Sequence, residues 1–316
     1  MHVEKRRIGN KVKLYLAHSY REGDKVHKIR KYLGLNLKTE ILEERKKIAQ
    51  KLILDEIKRY KIIHDPLTAQ LSEHEIDWAK KLEKEIPITI SHLSLQQWVA
   101  FTELFTYNTN AIEGSKLNSK EVTELLEKDK WPDKSKEDIA EAYGVRDAIQ
   151  LIRKTEEHLS ITLIKKIHRI VFKNSKSFAG QLRKRGEEVV VMDNTGKIVH
   201  EGAPQSRVEF LLKELCDWYP KNKGKYPALI LAAVIHNQFE NIHPFRDGNG
   251  RVGRILLNNI LIKHKLPPIS IDLKNRIEYY ASLQSYEKNH DLKPTINLLM
   301  KEYKTLKKAL GDHKKK

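Results

Sequence analysis

The chain has 316 residues, with 60 Lys and Arg against 42 Asp and Glu and a formal net charge of +18. Its 40% hydrophobic and 32% charged residues describe a folded globular protein, large enough for one big domain or two modest ones, and exclude a disordered chain. The longest apolar stretch, Tyr226 to Ile235, is about half of a membrane span, and no apolar segment follows the basic Met1–Arg7, so a cytoplasmic protein without membrane contact is expected.

The single cysteine, Cys216, excludes an internal disulfide framework and a cysteine-based zinc site, and reads as a buried structural thiol. The basic balance fits nucleic acid, a polyanionic small molecule or a lysine-rich surface equally well. It is concentrated at the two ends: residues 1–36 carry +7 and residues 301–316 carry +5, leaving +6 for the rest.

In chain order, Lys11–Leu16 alternates polar and apolar as a half-buried strand does. Glu22-Gly23-Asp24 is a turn signal, and Lys25–Leu33 returns as a second strand. Residues 1–36 are therefore expected to form a small basic β-hairpin appendage. Apolar positions from Ile41 to Ile57 recur at helical spacing and predict a helix over 38–60, within a helical connector at 37–85.

The remainder reads as mainly α. Ser94 caps a helix over Leu95–Ile112 that stops at Gly114, and further helices are predicted at 122–127, 136–153, 162–172, 206–219, 227–241, 251–264, 277–289 and 293–309. Residues 306–316 are read as a basic tail. One β-rich segment interrupts the helices: Glu187–Met192 and Lys197–His200 flank the turn Asp193–Gly196, a hairpin that must lie against something to be stable.

The segment His243-Pro-Phe-Arg-Asp-Gly-Asn-Gly-Arg-Val-Gly-Arg254 concentrates chemistry. Pro244 ends the preceding helix. Gly248-Asn249-Gly250 permits a tight turn whose N–H groups converge on an anion, and the helix starting near Arg251 adds its positive dipole end. Arg251 and Arg254 share a face of that first turn, where cations are disfavoured by up to roughly 1 kcal/mol each unless an anionic ligand is present. Asp247 is the carboxylate placed to hold Mg²⁺ beside phosphate oxygens, and His243 is the nearest group able to take a proton near neutral pH.

This segment resembles the Fic family signature H-x-F-x-(D/E)-G-N-(G/K)-R-x-x-R at every specified position. The hairpin at 187–200, preceded by Gly180-Gln-Leu-Arg183, lies where that family has its flap. The resemblance covers residues 86–305 and implies a Fic-type helical bundle that transfers AMP from ATP to a Ser, Thr or Tyr hydroxyl of a target protein or of itself.

It implies His243 as general base, Asp247 as the Mg²⁺ ligand, and Gly248, Asn249 and Gly250 around the α-phosphate. Arg251 would meet the β-phosphate, Arg254 the γ-phosphate, and Phe245 would anchor the loop in the core. Gly250 fits the AMP-transferring branch better than the phosphorylating, Doc-like one. Tyr280 and Leu283 resemble positions lining the base pocket, although an aromatic and a Leu three apart also suit a core. The Val189–Met192 edge could pair with an extended target segment, or the hairpin could simply cover the adenine.

Thr109-Asn-Ala-Ile-Glu113-Gly114 resembles the family's inhibitory signature (S/T)-x-x-x-E-(G/N), placing the inhibitory helix at about 95–114. Glu113 would then pair with Arg254 and withdraw it from the nucleotide. In some members of the family the same glutamate positions water to remove AMP, and dimers are common. A competing reading is a nucleic-acid-binding regulator with an auto-modifying or silent Fic domain, its hairpin and C-terminal lysines on the phosphate backbone. A third keeps the fold and changes the donor nucleotide, for example to UTP or CDP-choline.

Overall fold

The structure is a computed structural model that describes residues 1–9, 11–22, 25–64, 71–184, 186–187, 189–192 and 198–312. Backbone contacts divide it into two units, residues 1–65 and 66–316.

The first unit holds β1 (His2–Ile8), β2 (Lys11–Glu22), β3 (Lys25–Leu35) and α1 (Thr39–His64). The strands form one antiparallel sheet in the order β1-β2-β3. The expected two-stranded hairpin is thus a three-stranded sheet. β1 escapes recognition because it is an edge strand, His-Val-Glu-Lys-Arg-Arg-Ile, with too few apolar residues to show an alternating pattern. One face of the sheet buries Leu14, Leu16, Ile29 and Leu33 against Ala49 and Ile53 of α1. Alternation of side chains across the strands leaves Lys13, Tyr15, Arg30 and Tyr32 on the other face.

The second unit begins with α2 (Glu73–Lys84), closed by a Ser72/Glu75 capping box and hidden from the sequence reading inside the connector. Next come α3 (Leu95–Ile112), α4 (Ser119–Lys128), α5 (Lys136–Lys154) and α6 (Ile161–Phe172). The short hairpin β4 (Val190–Met192) and β5 (Ile198–Glu201) follows, its expected turn at 193–196 lying outside the described residues. The chain continues through α7 (Val208–Asn222), α8 (Ala228–Ile242), α9 (Asn249–Lys263), α10 (Arg276–Asn289) and α11 (Lys293–Asp312). Leu306 and Leu310 are buried on α11, so residues from 306 to 312 are helix where a tail was expected.

α8 is the hub, with every one of its residues buried. Its first half is the apolar run Ala228–Ile235, whose large side chains each contribute about 1.5–3 kcal/mol of transfer free energy. Its second half buries polar groups that find partners elsewhere: Asn237 on Thr295 of α11 and Gln238 on Tyr286 of α10. Satisfied in this way they fix the rotation of α8, and with it the direction in which the chain leaves at His243. Among the described residues no helix is long and apolar enough to cross a membrane.

Candidate active site

The loop between α8 and α9 is shaped by its own residues. His243 ends α8 in the left-handed conformation (φ 50°, ψ 60°), its N–H still bonded to Phe239 O. Gly248, at φ +82°, opens α9, and a Cβ there would meet the Phe172 ring at 2.2 Å, so this turn needs glycine both for its backbone and for space. Phe245 is fully buried and stacks on the His168 ring at 3.8 Å.

The Asn249 side chain clasps the loop: Phe245 N donates to its Oδ1 (2.8 Å) and its Nδ2 donates to Phe245 O (2.9 Å). The Asn249 amide, expected at the α-phosphate, therefore holds the backbone that forms the turn. No side chain caps the N-terminus of α9 and no acidic residue lies in its first turn, which leaves an anion-receptive end.

His243 is oriented by its neighbours. Its Nδ1 lies 3.2 Å from Glu240 O, and since a carbonyl only accepts, Nδ1 carries the proton and Nε2 keeps its lone pair. Burial, together with His200 and Arg183 nearby, pushes its pKa down to about 4, so the ring is neutral at physiological pH. The His200 ring of β5 lies 5.5 Å away and is itself held by Glu287 of α10 at 3.1 Å.

Two residues from before the flap brace this loop. Arg183, buried, donates to His243 O (2.8 Å), Ile242 O (3.2 Å), Ala203 O (2.7 Å) and Glu187 O (3.0 Å), while its own N–H donates to Pro244 O. His168 accepts from Gly180 N at Nδ1 (2.7 Å) and donates from Nε2 to Asp247 O (3.1 Å). Burial lowers its pKa to about 4, which keeps the neutral tautomer this bridge requires.

The charged groups fall into two clusters. Arg251, under the Phe172 ring, is ion-paired to Glu141 of α5 and lies 3.9 Å from Asp247. Lys176 joins them at 3.4 Å from Asp247 and 3.8 Å from Glu141. Asp247 remains 47% exposed, with Gly248 N donating to its Oδ1 at 2.6 Å.

Arg254, 2% exposed, forms the second cluster. It donates to Thr109 Oγ1 (2.8 Å), Thr109 O (3.0 Å), Tyr279 Oη (3.3 Å) and Glu113 Oε1 (2.7 Å). Burial opposes its charge, but Tyr279, Glu113 and Glu240 outweigh that and raise its pKa. Burial also works to raise Glu113, and here Arg254 and Arg251 prevail and hold it below the usual carboxylate value.

Glu113 caps the C-terminus of α3 before Gly114 at φ +95°, and its carboxylate reaches the start of α9: a Cβ on Gly250 would come within 2.3 Å of Glu113 Oε1. A carboxylate thus sits against the positive end of α9 and on the guanidinium next to it.

Of the two residues expected in a base pocket, Tyr280 lies beside Tyr279 and under the Arg276 guanidinium, and Leu283 is half-buried. It is Tyr279, one position earlier, that meets Arg254, with its hydroxyl also 3.1 Å from His236 Nε2. Glu240 of α8 is pushed up to about 8 by burial and stands as a neutral carboxyl beside this cluster. Cys216 is partly buried and its thiol is pushed up to about 12, as an inert thiol should be.

No group of three or more His, Cys, Asp or Glu capable of holding a metal occurs among the described residues. One exposed carboxylate next to an anion-receptive helix end nevertheless suits Mg²⁺, which keeps most of its waters and binds through one or two carboxylates plus substrate phosphates.

Residues 158–261 match the Fic/DOC family. The chain is 31% identical over 208 residues to protein adenylyltransferase fic-1 of Caenorhabditis elegans, covering 63% of this chain and 39% of that protein. It is 29% identical over 245 residues to protein adenylyltransferase Fic of Nematostella vectensis, covering 74% and 55%. The chain therefore spans about half or less of the length of these relatives. A Fic-domain-containing signaling protein from Bacteroides thetaiotaomicron superposes with a TM-score of 0.63 at 24% identity, over 74% of this chain and 95% of that one. The segment from His158 to Leu261, which carries the loop, the flap and both arginines, is thus the part of this longer helical unit that is similar to the Fic/DOC family.

Proposed function

We propose that this chain is a protein adenylyltransferase in a self-inhibited state, moving AMP from ATP to a Ser, Thr or Tyr hydroxyl of a protein target or of itself. The observation that carries this reading is the position of His243. Its Nδ1 is tied to a carbonyl and its Nε2 carries the lone pair, immediately before a loop that leads into an uncapped helix N-terminus.

The target hydroxyl gives its proton to His243 Nε2 as its oxygen bonds to the α-phosphorus of ATP. The bond from that phosphorus to the bridging oxygen breaks, and pyrophosphate leaves. The amides of the first turn of α9 receive negative charge as it builds on the phosphoryl oxygens, and Arg251 and Arg254 neutralise the polyphosphate tail. Asp247 would hold Mg²⁺, which when bound neutralises charge between phosphates. The β4–β5 edge next to His243 offers backbone pairing to an extended target segment.

Glu113 opposes all this by occupying Arg254 and the start of α9. Replacing it with glycine is expected to raise incorporation of labelled AMP at least tenfold, and His243→Ala in the same background is expected to abolish it. Equal, slow labelling by Glu113→Gly and the unaltered chain would overturn the inhibitory reading. Label transfer surviving His243→Ala would overturn the role of the base. Running the assay with ATP, GTP, CTP and UTP identifies the donor, and addition of EDTA tests the dependence on Mg²⁺.

A further inference from the structure

The outer face of the β1–β3 sheet, opposite the face that packs on α1, has no part in the chemistry above. The register sets its residues in rows: Glu4, Tyr15 and Tyr32 lie side by side across the three strands, with Arg6 and Lys13 paired in the next row. Lys28 and Arg30 continue the face along β3 and Arg21 along β2. Tyr32 is 55% exposed, its ring 5.3 Å from that of Tyr15, and Arg6 lies over Tyr15 at 5.5 Å. Glu4 is the one acidic residue in these rows and is held by Lys28 and Arg30. A two-ring aromatic centre is thus ringed by cations that outnumber the acid five to one.

From this juxtaposition we infer that the outer face of the N-terminal sheet binds single-stranded nucleic acid. An exposed tyrosine ring set among arginines and lysines offers a base its π-face and the adjoining phosphates their counter-charges. A duplex does not present such base faces, because its bases are stacked on one another. Its five cations against one acid leave this face a net +4, a charge complementary to a polyanion. The face shares no residue with the α8–α9 loop, so this binding is separate from nucleotide transfer.

The test is fluorescence anisotropy of the full chain with a labelled mixed-sequence 20-nucleotide DNA or RNA strand and with a duplex of equal length. The single strand is expected to bind more tightly. About four neutralised phosphates at ~0.7 each give a log–log salt slope near −3, or roughly 60-fold weaker binding between about 50 and about 200 mM salt. Tyr32→Ala is expected to weaken binding at least about fivefold and Tyr32→Phe less than about twofold. Arg6→Glu with Lys13→Glu is expected to weaken it at least about tenfold and make the slope shallower.

Lys304→Glu with Lys307→Glu, an equal charge change on exposed positions of α11, is expected to leave binding unchanged. Circular dichroism melting confirms that each variant is folded. Absence of binding, equal weakening by the α11 pair, a duplex that binds as tightly as the single strand, or an indifferent Tyr32→Ala would each overturn the inference.

Discussion

Arg183→Ala removes the hub that ties the end of α8 to both sides of the flap. The side chain makes four hydrogen bonds to carbonyls at 2.7–3.2 Å from a buried position. Bonds from a charged donor are worth about 1.5–3 kcal/mol each, but their sum overstates the loss because they share one group and water can reach some of the freed carbonyls. A loss of about 4 kcal/mol is expected, near the top of what single substitutions do.

For a unit of this size, about 2–4 °C per kcal/mol translates that into a melting temperature lower by roughly 12 °C, measured by calorimetry. Arg183→Lys keeps the charge and some of the bonds and should recover about half. In the Glu113→Gly background both variants should lower kcat for AMP transfer with little change in KM for ATP. The reason is that the guanidinium bonds the carbonyl of His243, the residue that takes the proton. A stability loss below about 1 kcal/mol, or a raised KM with kcat intact, would refute this account.

Gly250→Ala should destabilise the chain because its Cβ would collide with the Glu113 carboxylate. Glu113→Gly should relieve most of that cost, with a coupling of about 1–3 kcal/mol in a double-mutant cycle read by thermal unfolding. The pH dependence follows from histidines whose folded pKa is depressed. His168 and His243, both near 4, take up protons more readily in the unfolded chain, so stability should fall as pH drops from about 6.5 towards 4, as melts across that range would show. In Glu113→Gly, kcat/KM should lose activity through His243 only as pH falls towards 4. A midpoint near 6.5 would contradict the buried, neutral base.

Local signals account for what the sequence made legible. α3 could be bounded from Ser94 and Gly114 because cap and stop are both short-range devices, and both are present in the structure. The α8–α9 loop was equally legible, since one continuous stretch supplies its proline, its glycines and its charges. The loop's supports were not. Arg183, His168 and Glu141 reach it from 60, 79 and 110 positions away, separations that no periodicity encodes. Gly180–Arg183 was visible as a stretch before the flap, but nothing in its spacing showed that the arginine would bond His243.

The neighbouring tyrosines make the same point more finely. Whether Tyr279 or Tyr280 meets Arg254 depends on the rotation of α10, and α10 is almost evenly mixed around its circumference, so the pattern carries no phase. β1 was lost for a different reason, because an edge strand rich in charge guards the sheet without showing a period-two signal.

The Glu113–Arg254 contact also sets a concentration scale. Because the carboxylate arrives on the same chain, it competes at a fixed effective molarity that dilution cannot lower. Under the proposed function an external anion meets a receptor of which only the open fraction is competent, so its apparent dissociation constant rises in inverse proportion. A seat open in about 1% of molecules weakens binding about 100-fold without altering a single ligand contact. Under the proposed function two linked controls follow: the level of free nucleotide, and any partner that draws the end of α3 away from α9. The second acts as a gain setting on the first, so a modest pull on one helix terminus would change the nucleotide level at which the chain responds.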